Sequence, residues 1–230
     1  MFGIGNLPTG DKDPFALRRH ALGVIRMVMD KSLKVGVYQL IRYAYDAFEG
    51  IALDAHDTIR PKLALFFQER IVGLLVEGEG HPIDSVAAVL YSPTLESWSE
   101  IHPRLYAVAA FKELPESIAL AAANKRISNI LKKADDVDAH VSPVLLQEDA
   151  EKALHAAMQS VLPKAQVLFE AGDYTASLQA LAVLRAPVDA FFDGVMVNAE
   201  QLDVRLNRLG LLKTLHLAMN RVADLSKLAA

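Results

Sequence analysis

An all-α fold is predicted, with about ten helices in two helical units. Three observations carry it. Of the 230 residues, 52% are hydrophobic but only 7% aromatic, and an Ala- and Leu-rich, aromatic-poor core is one that packed helices build. Apolar side chains recur at three- and four-residue spacing between Gly and Pro breaks. No stretch reads as a strand; Val195, Met196 and Val197 come nearest and are too few.

The elements follow in chain order. Residues 1–10 form a Gly/Pro loop without the basic and apolar regions of a signal peptide. A domain seldom begins inside such a loop, so the chain is expected to be a fragment of a longer protein. Gly3-x-Gly5 is no dinucleotide fingerprint, because no strand precedes it and the third glycine is missing. Asp13-Pro14 predicts a helix start, an N-cap Asp with Pro at the first helical position, followed by Leu17, Ala21, Val24, Ile25, Val28 and Met29. Gly36 precedes a second stripe through Val37, Leu40, Ile41, Ala44 and Phe48. Thr58 and Pro61 start a third helix that stops at Gly78-Glu79-Gly80. Residues 82–91 and 103–113 predict two shorter helices, and Pro115 opens a longer one.

Asp135, Asp136, Asp138 and His140 to Pro143 make a polar break. Glu148 begins another helix, in which Pro163 should force a kink or a restart. Gly172-Asp173, a C-cap glycine followed by an N-cap, predicts a helix from Tyr174 to Arg185, and Pro187 starts a short one. The last helix is placed over residues 200–228. Its leucine pattern suits packing inside one domain as well as a zipper. The two units are placed at residues 1–111 and 112–230.

The bulk chemistry excludes several classes. Net charge is -4, evenly divided between the halves, so a globally basic nucleic-acid binder is ruled out and any such contact must come from a local patch. Without Cys there is no disulfide scaffold and no Cys-based zinc site, which fits a reducing cytosol. No apolar run is long enough to span a membrane.

Nothing reads as a catalytic centre. There is no nucleophile elbow and no Walker loop; Gly78-x-Gly80 lacks the following Gly-Lys-Ser/Thr. Asp135, Asp136 and Asp138 lack the Gly and distal Glu of a calcium loop. The seven histidines form no close metal pair, and no metal ligand is assigned. His56-Asp57 is a doublet of the kind HD-type metal phosphohydrolases use, and His20 and Asp84 are available as further ligands by residue type. Asp57 is more simply a capping residue of the following helix.

One stretch stands out. At 100° per residue, Lys125, Arg126, Asn129, Lys132 and Lys133 fall within about 120° of one another, with Ile127, Ile130, Leu131 and Ala134 opposite. A cationic stripe on a mildly acidic protein points to a phosphate-bearing partner. A solvated face near a helix C-terminus, where the dipole favours cations, has the same pattern. Arg205, Asn207 and Arg208 are a second polar group, interrupting the final apolar helix.

Several segments carry a family resemblance. Residues 10–19, including Asp13, Pro14, Phe15, Arg18 and Arg19, with Ala21-Leu22-Gly23, resemble a signature of the beta subunit of the bacterial two-subunit glycyl-tRNA synthetase. So do residues 121–131 around Asn124-Lys125-Arg126, residues 184–197 around Phe191-Phe192-Asp193, residues 206–212 around Asn207-Arg208, and residues 221–228. They occur in the family's order and cover nearly the whole chain.

The resemblance implies the C-terminal portion of that subunit: the end of an HD-like helical region, then from about residue 112 a domain similar to the helical anticodon-binding domains of arginyl-type synthetases. His56-Asp57 does not fall at the family's HD position. The enzyme would be glycine–tRNA ligase, an ATP-dependent aminoacyl-tRNA synthetase of the cytoplasm, with the class II core, ATP and Mg on the alpha subunit. This fragment would be non-catalytic and without a cofactor. Its implied partners are glycine tRNA and the alpha subunit, not DNA or a membrane. Lys125, Arg126, Asn129, Lys132 and Lys133 are the expected RNA-facing group, with Arg205 and Arg208 second; Arg208 pairing with an acidic neighbour is the competing reading. A helical module docking the alpha subunit, and an HD-type phosphohydrolase, are the alternatives.

Overall fold

A computed structural model describes residues 1–9, 12–13, 15–134 and 136–229. Gly10, Asp11, Pro14 and Asp135, which the sequence reading used, lie outside the described residues. Among the described residues every regular element is a helix or a short helical turn, apart from an isolated bridge between Thr9 and Lys12. The chain forms two compact units, residues 1–86 with 95–102, and residues 87–94 with 103–230.

In the first unit, α1 (Leu17–Asp30) and α2 (Val37–Asp46) pack on α3 (His56–Gly73), but of the stripe expected of α2 only Ile41 is buried, while Ala44 is exposed and Phe48 lies exposed beyond the helix end. Ile25, Val28, Ile41, Ile59, Phe66, Ile71 and Leu75 are buried. Trp98 closes this core, its ring 5.0 Å from that of Phe67.

Helix α1 begins later than Asp13-Pro14 predicts. Ala16 takes a left-handed conformation, φ 52°, which breaks the helical path just before Leu17. Asp13 still caps: its two carboxylate oxygens accept from the N–H groups of Leu17 and Arg18 at 2.8 and 2.9 Å. Helix α3 starts at His56 rather than Thr58, carries Pro61 in its first turns, and continues beyond Gly73 as a π-turn over Leu74–Gly78.

The second unit begins inside α4 (Ile83–Leu90) and resumes inside α5 (Ile101–Lys112), so its boundary precedes the division expected at residue 112. The reason is burial: Leu105, Val108 and Phe111 belong to its core. Arg104, fully buried, donates to Ser92 Oγ at 3.1 Å, Thr94 Oγ1 at 3.0 Å and the carbonyls of Arg221 and Val222 at 3.1 and 3.0 Å.

The other helices are α6 (Ser117–Leu131), α7 (Asp149–Glu170), α8 (Tyr174–Leu181), α9 (Arg185–Gly194) and α10 (Leu202–Met219). Helix α7 packs on α8, α9 and α10, and α6 packs on α9 and α10. At the start of α7, Glu148 and Glu151 form a capping box. Pro163 does not restart α7, which runs on through it; the helix surface there, at Gln159, Ser160 and Pro163, is exposed. The predicted helix 174–185 ends at Leu181 and passes through a 3-10 turn into α9.

Helix α10 stops at Met219, not near residue 228. Asn220 there exchanges amide hydrogen bonds with Asn124 of α6 at 2.7 and 3.0 Å, and its Oδ1 accepts from Leu225 N–H at 3.0 Å. These bonds turn the chain into a separate 3-10 turn, Leu225–Leu228, which packs on α6. Val195 to Val197 is a loop rather than a strand.

Candidate nucleic-acid interface

Helix α6 is amphipathic as its spacing requires. Leu120, Ala121, Asn124 and Ile127 are buried, while Lys125, Arg126, Asn129, Lys132 and Lys133 are exposed. Ser128 lies within 2.8 Å of His216 Nε2 on α10, so the helix is anchored by polar as well as apolar contacts. Burial, reinforced by Lys213 and Lys132 and opposed by Asp224, holds the His216 ring below its ordinary value of 6.5. The ring is therefore neutral at physiological pH.

An open concavity of roughly 690 Å³ runs beside α6. Lys125, Arg126, Asn129 and Lys133 line it together with Asn198 and Arg205. Among the described residues, none that line it is Asp or Glu. Four cations on one concave surface attract phosphate, and the two amides supply donors and acceptors for base edges.

Three of the cations are held in place. The Arg126 guanidinium sits 4.2 Å from the centroid of the Phe192 ring on α9. Lys125 Nζ donates to the Ala229 carbonyl at 3.2 Å, and Arg205 Nη1 reaches the Ala199 carbonyl at 3.5 Å. The neighbouring phenylalanines divide their work: Phe191 is fully buried and fixes α9, while half-buried Phe192 carries the arginine.

The structure separates the predicted residues. Lys132 is exposed but does not line the concavity; it lies at the helix end, close enough to His216 to depress its titration. Arg208 is a correction. It is 5% exposed, its Nε donates to Glu151 Oε1 at 2.6 Å, and its Nη1 donates to the Met196 carbonyl at 2.8 Å. A guanidinium so enclosed joins α10 to α7 and is not presented to RNA. Asn207 is equally internal, exchanging hydrogen bonds with the Ser142 backbone at 2.7 and 3.2 Å.

Asn198 and Phe192 were not assigned from sequence. Phe192 and the Val195–Val197 run before Asn198 lay within the family-like segment 184–197, which was the available signal. His56 lies 3.6 Å from its neighbour Asp57. Among the described residues, the one group of three potential metal ligands includes none of His20, His56, Asp57 or Asp84, so no HD-type centre is assembled.

Comparison with known proteins matches both parts of the sequence to known families. A model of the glycyl-tRNA synthetase beta subunit matches residues 1–91, and one of the DALR anticodon binding domain matches residues 120–226. The chain is similar to glycyl-tRNA synthetase beta subunits along its whole length. It is 60% identical over 229 residues to the glycine–tRNA ligase beta subunit of Paracidovorax citrulli, a match covering 100% of the chain and 32% of the relative. The same subunit of Polaromonas naphthalenivorans is 60% identical over 231 residues, and that of Thiobacillus denitrificans 53% over 232 residues, with the same coverage. The chain thus spans about a third of the length of the curated relatives it matches. The helices and loops that supply the cationic side chains lie inside the span matched by the anticodon-binding family. No helix among the described residues is long and apolar enough to cross a membrane.

Proposed function

We propose that the second unit grips glycine tRNA through the α6 concavity, as a non-catalytic part of a cytoplasmic glycine–tRNA ligase. The observation that carries this reading is the set Lys125, Arg126, Lys133 and Arg205 around one concave surface, inside the anticodon-binding match. Phosphate contacts from these cations position the stem, while Asn129 and Asn198 are placed to read unstacked loop bases. Glycine activation, with its ATP and Mg, is assigned to an alpha subunit, which this chain accompanies. No residue of the concavity is asked to do chemistry.

The test is filter binding of the chain with glycine tRNA and an anticodon-substituted version across a salt series. Specific binding that weakens with salt supports the reading. Lys125→Glu with Lys133→Glu should abolish most of the affinity, and each lost phosphate contact should make the salt slope shallower by about 1. Equal binding by the charge-reversed chain overturns the assigned surface. Capture of the alpha subunit without RNA, together with no tRNA binding, assigns the unit to protein docking instead.

A further inference from the structure

We propose that Glu79, His81 and His102 form a binding site for a divalent transition-metal ion of the zinc class. The site lies in the first unit and is built by an irregular piece of backbone. Where α3 passes into its π-turn, Glu79 N–H bonds back to the Leu74 carbonyl at 2.9 Å. Gly80 then adopts φ +76°, a left-handed conformation that a side chain would strain. His81 N–H consequently reaches the Leu75 carbonyl at 2.9 Å. The reversal brings the Glu79 and His81 side chains together although only one residue separates them. His102, at the second position of α5, completes the group. A π-bulge beside convergent polar groups is a common feature of binding sites.

The distances suit an ion. Glu79 Oε2 lies 3.4 Å from His81 Nε2 and 2.8 Å from His102 Nε2, and the three ligand atoms all lie within 4.8 Å of one another. A tetrahedral zinc with bonds of about 2.0–2.1 Å holds its ligand atoms about 3.3 Å apart. Movements of about an ångström or less therefore convert the hydrogen-bonded trio into a coordination shell.

Two imidazoles and a carboxylate select zinc, cobalt or nickel over calcium and magnesium, which take oxygen ligands. The side chains are 25–31% exposed, which gives an ion access and leaves a coordination position for water. The bound ion ties the turn after α3 to the start of α5.

Isothermal titration of the metal-free chain with Zn²⁺, and of Co²⁺ followed by its visible absorption, tests the site. One ion per chain, a tetrahedral or five-coordinate cobalt spectrum and a raised Tm are expected. His81→Ala and His102→Ala should each lower affinity by at least about tenfold, and Glu79→Gln should alter the cobalt spectrum. His20→Ala, at an exposed ring outside the group, should change nothing. Circular dichroism confirms that each variant is folded. Zinc binding that survives in the folded His81→Ala/His102→Ala chain, or no stoichiometric binding by the unaltered chain, overturns the proposal and leaves a trio joined by hydrogen bonds alone.

Discussion

Arg208 and Glu151 form an ion pair inside the second unit, with Nε 2.6 Å from Oε1 and side chains 6% and 0% exposed. A second contact, Nη2 to Oε2 at 3.3 Å, makes the pair bidentate. Burial by itself would raise the Glu151 carboxyl. The Arg208 guanidinium and the N–H groups of Glu148 and Gln147 outweigh it, holding the carboxyl below its ordinary 4.5. Both charges are satisfied, and α10 is locked to the capping box of α7.

Removing one partner leaves the other charge buried and unpaired. Arg208→Ala or Glu151→Ala should therefore destabilise the chain by about 3–5 kcal/mol, whereas a well-packed Met or Leu pair should recover much of that loss. Urea unfolding measures it. If Arg208 is purely internal, tRNA affinity per folded molecule stays unchanged, unlike the loss expected for Lys125→Glu.

The same groups set the response to acid. Glu151 titrates lower in the folded chain than in the unfolded one. Its contribution is complete above about 4.5 and is lost as pH falls through the folded value. His216 is also depressed, by burial first, so the unfolded chain takes up a proton near 6.5 before the folded chain does. Stability should thus be full above about pH 6.5, decline just below it, and fall again below about pH 4.5. Thermal melts across this range should show both stages, and His216→Gln should flatten the upper one alone.

The helices were legible because their signals are local. Gly172-Asp173 marked a break, and Asp173 accepts from Ala176 N–H at 3.0 Å as an N-cap does. The α6 stripe followed from angular spacing alone. The end of α10 was not legible, since it depends on Asn220 meeting Asn124 from far along the chain. The same limit applied to Arg205 and Arg208: two cations on one helix look alike until Glu151 on α7 encloses one of them. Glu79, His81 and His102 escaped notice because a π-turn, which no helical spacing rule describes, brings them together.

Two glycines inside helices should respond oppositely to alanine. At Gly210 a Cβ would fall 2.1 Å from the His140 carbonyl oxygen and 3.1 Å from that of Asp138. The obstacle is backbone, itself pinned by Asn207 to Ser142, so it cannot yield cheaply. Gly210→Ala should cost about 1–3 kcal/mol or more. Gly23 in α1 meets nothing within 4 Å, and Gly23→Ala should stabilise by about 0.5–1 kcal/mol through lost unfolded-state entropy. Paired Tm measurements check both signs.

Phe192 separates positioning from charge on the proposed RNA surface. Its ring lies under Arg126 at 4.2 Å, and it carries no charge of its own. Phe192→Leu removes the π-face while keeping an apolar side chain on α9, so Arg126 keeps its charge but loses its fixed direction. A cation–π contact at an exposed site contributes about 0.5–1 kcal/mol, which predicts a loss of about two- to fivefold in tRNA affinity. The number of phosphate contacts is unchanged, so the salt slope should stay as it was. Arg126→Glu should lower affinity further and make the slope shallower. Filter binding at several salt concentrations distinguishes these outcomes. A Phe192→Leu chain with unaltered affinity would show that Arg126 does not need its ring to meet the RNA.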